Sequence, residues 1–318
     1  MRRPPTDDLL AEAAPSAPHG DELLLVANDH LQRSLEPSTP LPTWVTPAET
    51  VIVTHEGSNF VWETMWVGPE TMALHRHAGP PSVAPRALAA LISAATEPPI
   101  GALQAILFAE EASYVASLGF RSVLQCSAGL LAIWVRPSAD SLHRTPQGTW
   151  VSYQNPEPLP ISGDWRIEPA TLEHVTGMVA VDAAEYLEPL SERDIAEAVT
   201  RYPCAVAIRG DAVIGMAVTR DMVGAAGVLG ELFTIVTHPR QRSRGLGAAL
   251  LSRVEQMGFA AGWEAICLES SMAYGSRYKT SPAPFYLRHG WTLLAINEST
   301  IYMAKTQPGG PATILASV

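Results

Sequence analysis

The sequence predicts an α/β protein of the α+β kind, built as two domains in tandem. Three observations carry that prediction. The chain has 318 residues, enough for about two domains at roughly 100–200 residues each. A stretch rich in Pro, Ser and Gly lies near its middle, and strand and helix periodicities alternate after that stretch, with a fainter copy of the same order before it.

Hydrophobic residues make up 47% of the chain and charged residues 17%, so sizeable cores can be buried and the chain reads as soluble and globular. No run approaches the roughly 18–20 apolar residues of a membrane-spanning helix, and no membrane partner is expected. The formal net charge is −11, and Lys279 and Lys305 are the two lysines. Nonspecific nucleic-acid binding needs clustered basic side chains to displace counterions, so no nucleic-acid partner is expected either. Cys126, Cys204 and Cys267 lie far apart without metal-ligand spacing, which points to buried reduced thiols, no metal and a cytoplasmic location.

Residues 1–20 have two arginines but no apolar h-region and are expected to form a disordered Ala/Pro leader. Residues 21–136 make the first domain, 137–163 the linker, 164–306 the second domain and 307–318 a tail. In the second domain DWRIEPA reads as a strand and TLEHVTGMVAVDAAEYLE as a helix. SERDIAEAVTRY is a second helix, with Ser191 as N-cap and acidic residues in its first turn. Two β-rich runs then flank the turn Arg209-Gly210-Asp211, and GVLGELFTIVTH is apolar and β-branched enough to be a buried strand. LGAALLSRVEQM repeats apolar residues at helical spacing; EAICLESS is another buried strand, SPAPFYLRHGW a short helix ending at Gly290, and TLLAINESTIYMAK a closing hairpin.

Between the buried strand and the helix after it stand Arg242, Ser243, Arg244, Gly245, Leu246 and Gly247. A helix start aims unpaired N–H groups outward, glycines let the backbone come close to a pyrophosphate, and the helix dipole and arginines attract negative charge. The loop is not a Walker A loop, because Gly247 is followed by Ala248-Ala249 instead of Lys-Ser/Thr. It is not a dinucleotide fingerprint, because it follows a hairpin and lacks the third glycine.

Strand, His-Pro, R-x-x-G-x-G, helix, strand, then F-Y-x-x-x-G-aromatic resembles the GNAT superfamily of N-acetyltransferases over residues 164 to about 305. The resemblance implies a mixed, mostly antiparallel sheet with a splayed parallel strand pair and flanking helices. It implies acetyl-CoA as co-substrate, with Thr234, Ile235 and Val236 along the pantetheine and Arg242, Ser243, Arg244, Gly245, Leu246 and Gly247 around the pyrophosphate. It implies direct acetyl transfer to the amine of a small molecule in a ternary complex. Glu231 would take the proton of the acceptor ammonium, through water, and Tyr286 would protonate the departing thiolate. Glu231 can equally be a carboxylate paired with an arginine, and Tyr286 a core aromatic. Where the family often has an asparagine about seven residues before the tyrosine, this chain has Lys279. An aminoacyl-tRNA-dependent transferase and a noncatalytic CoA-binding module are the other readings of such a fold.

The first half resembles a worn copy of the same domain. LQAILFAEEASYVASLGF parallels EAICLESS and PFYLRHGW, and ALAALISAA parallels LGAALLSRV. Arg86 and Leu88 then fall where Gly245 and Gly247 stand, GPPSVAP replaces the loop, and Met72 falls opposite Glu231. This copy is not expected to hold acyl-CoA in the usual way, and the chain is expected to be a monomeric pseudo-dimer or a homodimer. His75 and His77 read as strand-end histidines without a third ligand. Residues 1–163 carry 8 basic and 16 acidic side chains against 13 and 16 in residues 164–318, a bias that would attract a cationic acceptor or simply keep the chain in solution.

Overall fold

The structure is a computed structural model that describes residues 22–26, 49–55, 58–66, 71–78, 101–107, 122–135, 164–186, 189–222, 225, 227–242, 245–271, 282–296 and 300–315. The chain divides into two compact units, Met1–Arg136 with Leu315–Val318, and Pro137–Ile314. The leader, the linker and the segments GPPSVAP and ALAALISAA lie outside the described residues.

The first unit contains β1 (Glu22–Val26), β2 (Glu49–His55), β3 (Ser58–Trp66), β4 (Thr71–Ala78), β5 (Ala102–Leu107), β6 (Ser122–Cys126) and β7 (Gly129–Val135), which lie in the order β1-β2-β3-β4-β5-β7-β6. The β4/β5 pair is parallel and the others are antiparallel. Ala102 to Leu107 are all buried, as a strand covered on both faces must be.

The second unit contains β8 (Arg166–Pro169), a 3-10 turn at Leu172–His174 that runs into α1 (Val175–Ala183), α2 (Glu192–Arg201), β9 (Ala205–Arg209), β10 (Ala212–Asp221) and β11 (Leu229–Thr237). It continues through α3 (Leu246–Ala260), β12 (Ala265–Ser271), α4 (Ala283–Arg288), β13 (Thr292–Ile296) and β14 (Thr300–Thr306). Its strands lie in the order β13-β14-β12-β11-β10-β9-β8, with β11/β12 the parallel pair. Strand for strand, this is the path of the first sheet. Residues 307–318, expected as a tail, include a short strand, β15 (Thr313–Leu315).

The two sheets also share an irregularity. Thr219 pairs with Leu232 and Val218 with Thr234, so Phe233 is a bulge in β11. Trp62 pairs with Arg76 and Val61 with Ala78, so His77 is a bulge in β4. Counted back from the bulge, the position of Glu231 is held in the first sheet by His75, three residues on from the Met72 of the sequence alignment.

Local chemistry accounts for the element boundaries of the second unit. Ser191 caps α2 by accepting from the Asp194 amide at 3.2 Å, and Glu192 and Asp194 meet the positive end of the helix dipole. Gly210 turns the β9–β10 hairpin with φ of 58°. The helix expected through Glu188 stops at Ala183 instead. Asp182, 1% exposed, accepts the Leu190 amide at 2.7 Å while its carbonyl takes the amides of Glu185 and Tyr186 at 2.9 Å each. These bonds fold the chain back toward α2. Leu246, Leu250 and Val254 of α3 enter one core with Ala217, Leu232, Ile266, Trp263 and Trp291. Trp263 sits where two glycines allow: a Cβ on Gly230 or Gly258 would come 2.1 or 2.4 Å from its ring.

Candidate functional site

β11 and β12 pair only from Leu229 opposite Ala265 to Glu231 opposite Cys267. From Leu232 onward the two strands separate, and the β12-facing edge of β11 has no strand partner among the described residues. Thr234, Ile235 and Val236 lie on this stretch, held on the other side by Val218, Ala217 and Met216 of β10. Their backbone groups toward the gap are open to a ligand that can act as an extra strand.

Beyond β11, His238 turns the chain by accepting the Arg240 amide on Nδ1 at 3.3 Å. Gly245, with φ of 76°, is the N-cap of α3, and no side chain caps that helix. The first backbone bond runs from the Ala249 amide to the Gly245 carbonyl at 3.0 Å, so the amides of Leu246, Gly247 and Ala248 precede it. Uncapped amides at a helix N-terminus suit an anion. Leu246 is buried in the core and can offer only its amide. The Phe285 ring of α4 stands 3.7 Å from where a Gly247 Cβ would be, so it walls this end of the site. The Arg242 guanidinium donates to the Glu185 carboxylate, which ties the loop to the α1–α2 connection. Ser243 and Arg244 lie outside the described residues.

Glu231 is the last residue before the strands part. Both its oxygens accept from Arg220, from Nε and Nη2 at 2.8 Å each, with the side chains 13% and 3% exposed. The Arg220 guanidinium also lies 4.3 Å from the centroid of the bulged Phe233 ring. The carboxylate is therefore paired with an arginine, one of the two readings open for it. Each oxygen uses one lone pair on Arg220 and keeps a second.

Tyr286 on α4 is 6% exposed and packs against Phe285 at 5.1 Å and Trp291 at 5.7 Å between ring centroids. Burial, reinforced by the Tyr186 phenol, pushes its hydroxyl well above the usual tyrosine range, so it stays protonated. All three cysteines are buried, and burial pushes the Cys204 thiol up to about 12, which leaves it a poor nucleophile. Among the described residues no group of three or more His, Cys, Asp or Glu could hold a metal, and no helix is long and apolar enough to cross a membrane. Lys279 lies outside the described residues. Sequence reasoning missed Arg220 and Glu185. A lone arginine inside the apolar run GMAVTRDM was the available signal for the first; nothing local marked the second.

Residues 200–293 match the family model described as an acetyltransferase (GNAT) domain. The second unit carries a GNAT domain. Three of the solved structures similar to the chain are N-acetyltransferases. PaiA N-acetyltransferase from Thermoplasma acidophilum, in complex with coenzyme A, is 13% identical over 46% of this chain and 100% of its own, with a TM-score of 0.39. The ribosomal-protein-S18-alanine N-acetyltransferase from Escherichia coli is 18% identical over 45% and 93%, with a TM-score of 0.38. The N-acetyltransferase from Staphylococcus aureus Mu50 is 14% identical over 45% and 99%, with a TM-score of 0.37. No curated protein matches the chain by sequence. The GNAT match spans the bulged β11, the glycine loop, α3 and α4, so every residue discussed as part of the site lies within it except those of the α1–α2 connection.

Proposed function

We propose that the GNAT domain moves an acetyl group from acetyl-CoA to the amine of a small molecule by direct attack in a ternary complex. The observation that carries this reading is the meeting of two features in one place: a parallel strand pair that opens after Glu231, and an uncapped helix start at Gly245 just beyond it. The gap suits a pantetheine arm laid along Thr234, Ile235 and Val236. The amides of Leu246 and Gly247, with Arg242, Ser243 and Arg244, suit the pyrophosphate. A Cβ in place of hydrogen at Gly245 would oppose its left-handed backbone.

In this mechanism an acceptor ammonium gives a proton to a water held on the second lone pairs of Glu231, that water passes one of its own to the carboxylate, and the neutral amine attacks the thioester carbonyl carbon. A β11 amide facing the gap polarises the carbonyl oxygen. The C–S bond then breaks, the departing thiolate takes the Tyr286 hydroxyl proton, and the remaining extra proton of the attacking nitrogen returns to the Tyr286 oxygen, leaving an amide, a free thiol and the phenol restored. Arg220 orients Glu231 by gripping both oxygens and leaves it one face for the water. The first unit, with the same strand path and the same kind of bulge but Pro and larger side chains in GPPSVAP and Arg86 where the glycine loop should be, is a second copy of the fold that binds no acyl-CoA in this manner.

The decisive experiment titrates acetyl-CoA against the melting temperature of the full chain and then measures free-thiol release with a panel of primary amines. A saturable rise in melting temperature from one site, abolished by Gly245→Val, is expected. Thiol release should fall in Glu231→Gln and Tyr286→Phe while the acetyl-CoA shift persists. Absence of any acetyl-CoA shift would refute the reading; a shift without turnover on any amine would favour a noncatalytic CoA-binding module.

A further inference from the structure

A half-buried ionic hub lies at the C-terminal end of α4. Glu255, on α3 and 8% exposed, accepts from the Trp291 indole Nε1 at 2.8 Å and from Lys305 Nζ at 2.6 Å. The same ammonium donates to the His289 carbonyl at 2.7 Å. His289 is the C-cap of α4, and its amide and that of Trp291 both return to the Tyr286 carbonyl, at 2.9 and 3.1 Å. One lysine thus joins the helix that starts at the glycine loop, the C-cap of the helix that carries Tyr286, and β14.

α4 has six residues, too few to be stable as an isolated helix, so its position depends on what grips it. Phe285 and Tyr286 pack its inner face. The bond from Lys305 to the His289 carbonyl adds a directional hold at its C-terminal end, from a charge paired on α3. The chain uses arginine nearly everywhere: of 21 Lys+Arg, only Lys279 and Lys305 are lysines. A compact ammonium can direct donors to a carboxylate and a carbonyl that do not share a plane, which the flat guanidinium fork does less well. Burying this pair is costly unless each partner is well bonded, and here both are.

We propose that Lys305 and Glu255 are positioning residues for the acid step: they set the register of α4 against α3, so that the Tyr286 hydroxyl is placed relative to a cofactor bound at the start of α3. The inference rests on Tyr286 being the proton donor. Neither residue touches the reacting atoms; Glu255 lies nearly three helical turns from Gly245.

The test compares Lys305→Met, Glu255→Gln and Tyr286→Phe in the full chain. In Lys305→Met, amide exchange at His289, Gly290 and Trp291 should quicken by about tenfold or more, while the α3 interior from Leu250 to Val254 stays protected. Thiol release from acetyl-CoA, with water as the only acceptor supplied, should fall about tenfold while the acetyl-CoA dissociation constant stays within about twofold. Adding Lys305→Met to Tyr286→Phe should cost nothing further. Unchanged exchange at the three amides overturns the proposal, as does a loss of turnover matched by an equal loss of acetyl-CoA affinity. Faster exchange with thiol release unaltered in both Lys305→Met and Tyr286→Phe would instead refute the acid role of Tyr286 and leave the grip on α4 standing. If Lys305→Met fails to fold, Glu255→Gln, which keeps the shape and one acceptor, is expected to show the same exchange pattern to a smaller degree.

Discussion

Replacing Glu231 by Gln removes the charge that compensates Arg220 but preserves shape. The guanidinium is 3% exposed and cannot recover its lost partner from solvent. Breaking a buried ion pair on one side costs about 3–5 kcal/mol. The glutamine oxygen still accepts one of the two bonds, and the Phe233 ring keeps its contact, so the expected cost lies at the lower end, about 3 kcal/mol. Removing both charges, with Arg220→Met added, leaves neither member of this pair charged. The double variant should then be more stable than the sum of the single effects predicts, by about 2 kcal/mol or more. Urea unfolding followed by tryptophan fluorescence on the four proteins measures this cycle. A Glu231→Gln cost below about 1 kcal/mol, or additive single effects, would refute the reasoning that the pair is a buried, mutually dependent unit. Thiol release measured on the folded variants then separates the chemistry of Glu231 from its part in the sheet.

Other outcomes follow from single contacts. Gly258→Ala drives a Cβ to 2.4 Å from the Trp263 ring, and overpacking of this kind should cost about 1–3 kcal/mol in thermal or urea unfolding; Trp263→Leu in the same chain should return part of it. Gly245→Ala forces an L side chain into a backbone at φ of 76° and should cost about 1 kcal/mol, with weaker acetyl-CoA binding by calorimetry. Burial raises the pKa of Asp182 against the smaller opposing effect of the Leu190 amide. A carboxyl raised in the folded state contributes stability below its unfolded pKa, and that stability is lost as pH rises through the folded value. Asp182→Asn, which can still accept the Leu190 amide, should therefore gain on the parent chain as pH rises from about 4 in urea midpoints; a constant difference across pH would count against it.

The second unit was legible almost element by element because its signals are local. Ser191 announces a helix start, Gly210 a hairpin, and the spacing of Leu246, Leu250 and Val254 a buried helix face. The glycine loop was legible for the same reason, since the backbone geometry it needs is written in Gly245 itself. Partnerships between distant residues were not. Arg220 meets Glu231 only because β10 and β11 align in one particular register, and Lys305 meets Glu255 across 50 residues of chain. The helix expected through Glu188 failed for a related reason: its end is set by Asp182 reaching forward to Leu190, a tertiary bond that overrides the helix-forming Ala-Ala-Glu that follows. The strands β1 to β3 were passed over, although the runs TVIVTH and FVWETMW are rich in β-formers.

The bulge at Phe233 makes the phase of β11 a matter of counting. Ahead of it the strand faces β12 as a partner; after it the same strand faces an open gap with its backbone advanced by one residue. Thr234 to Thr237 take their partners Val218 to Gly215 from the far side of that inserted residue, so deleting Phe233 would leave every one of those pairs in place while removing the extra length and the ring over Arg220. Such a deletion tests the bulge itself: the sheet can still close in the same register, but the strand loses the local kink that carries it away from β12.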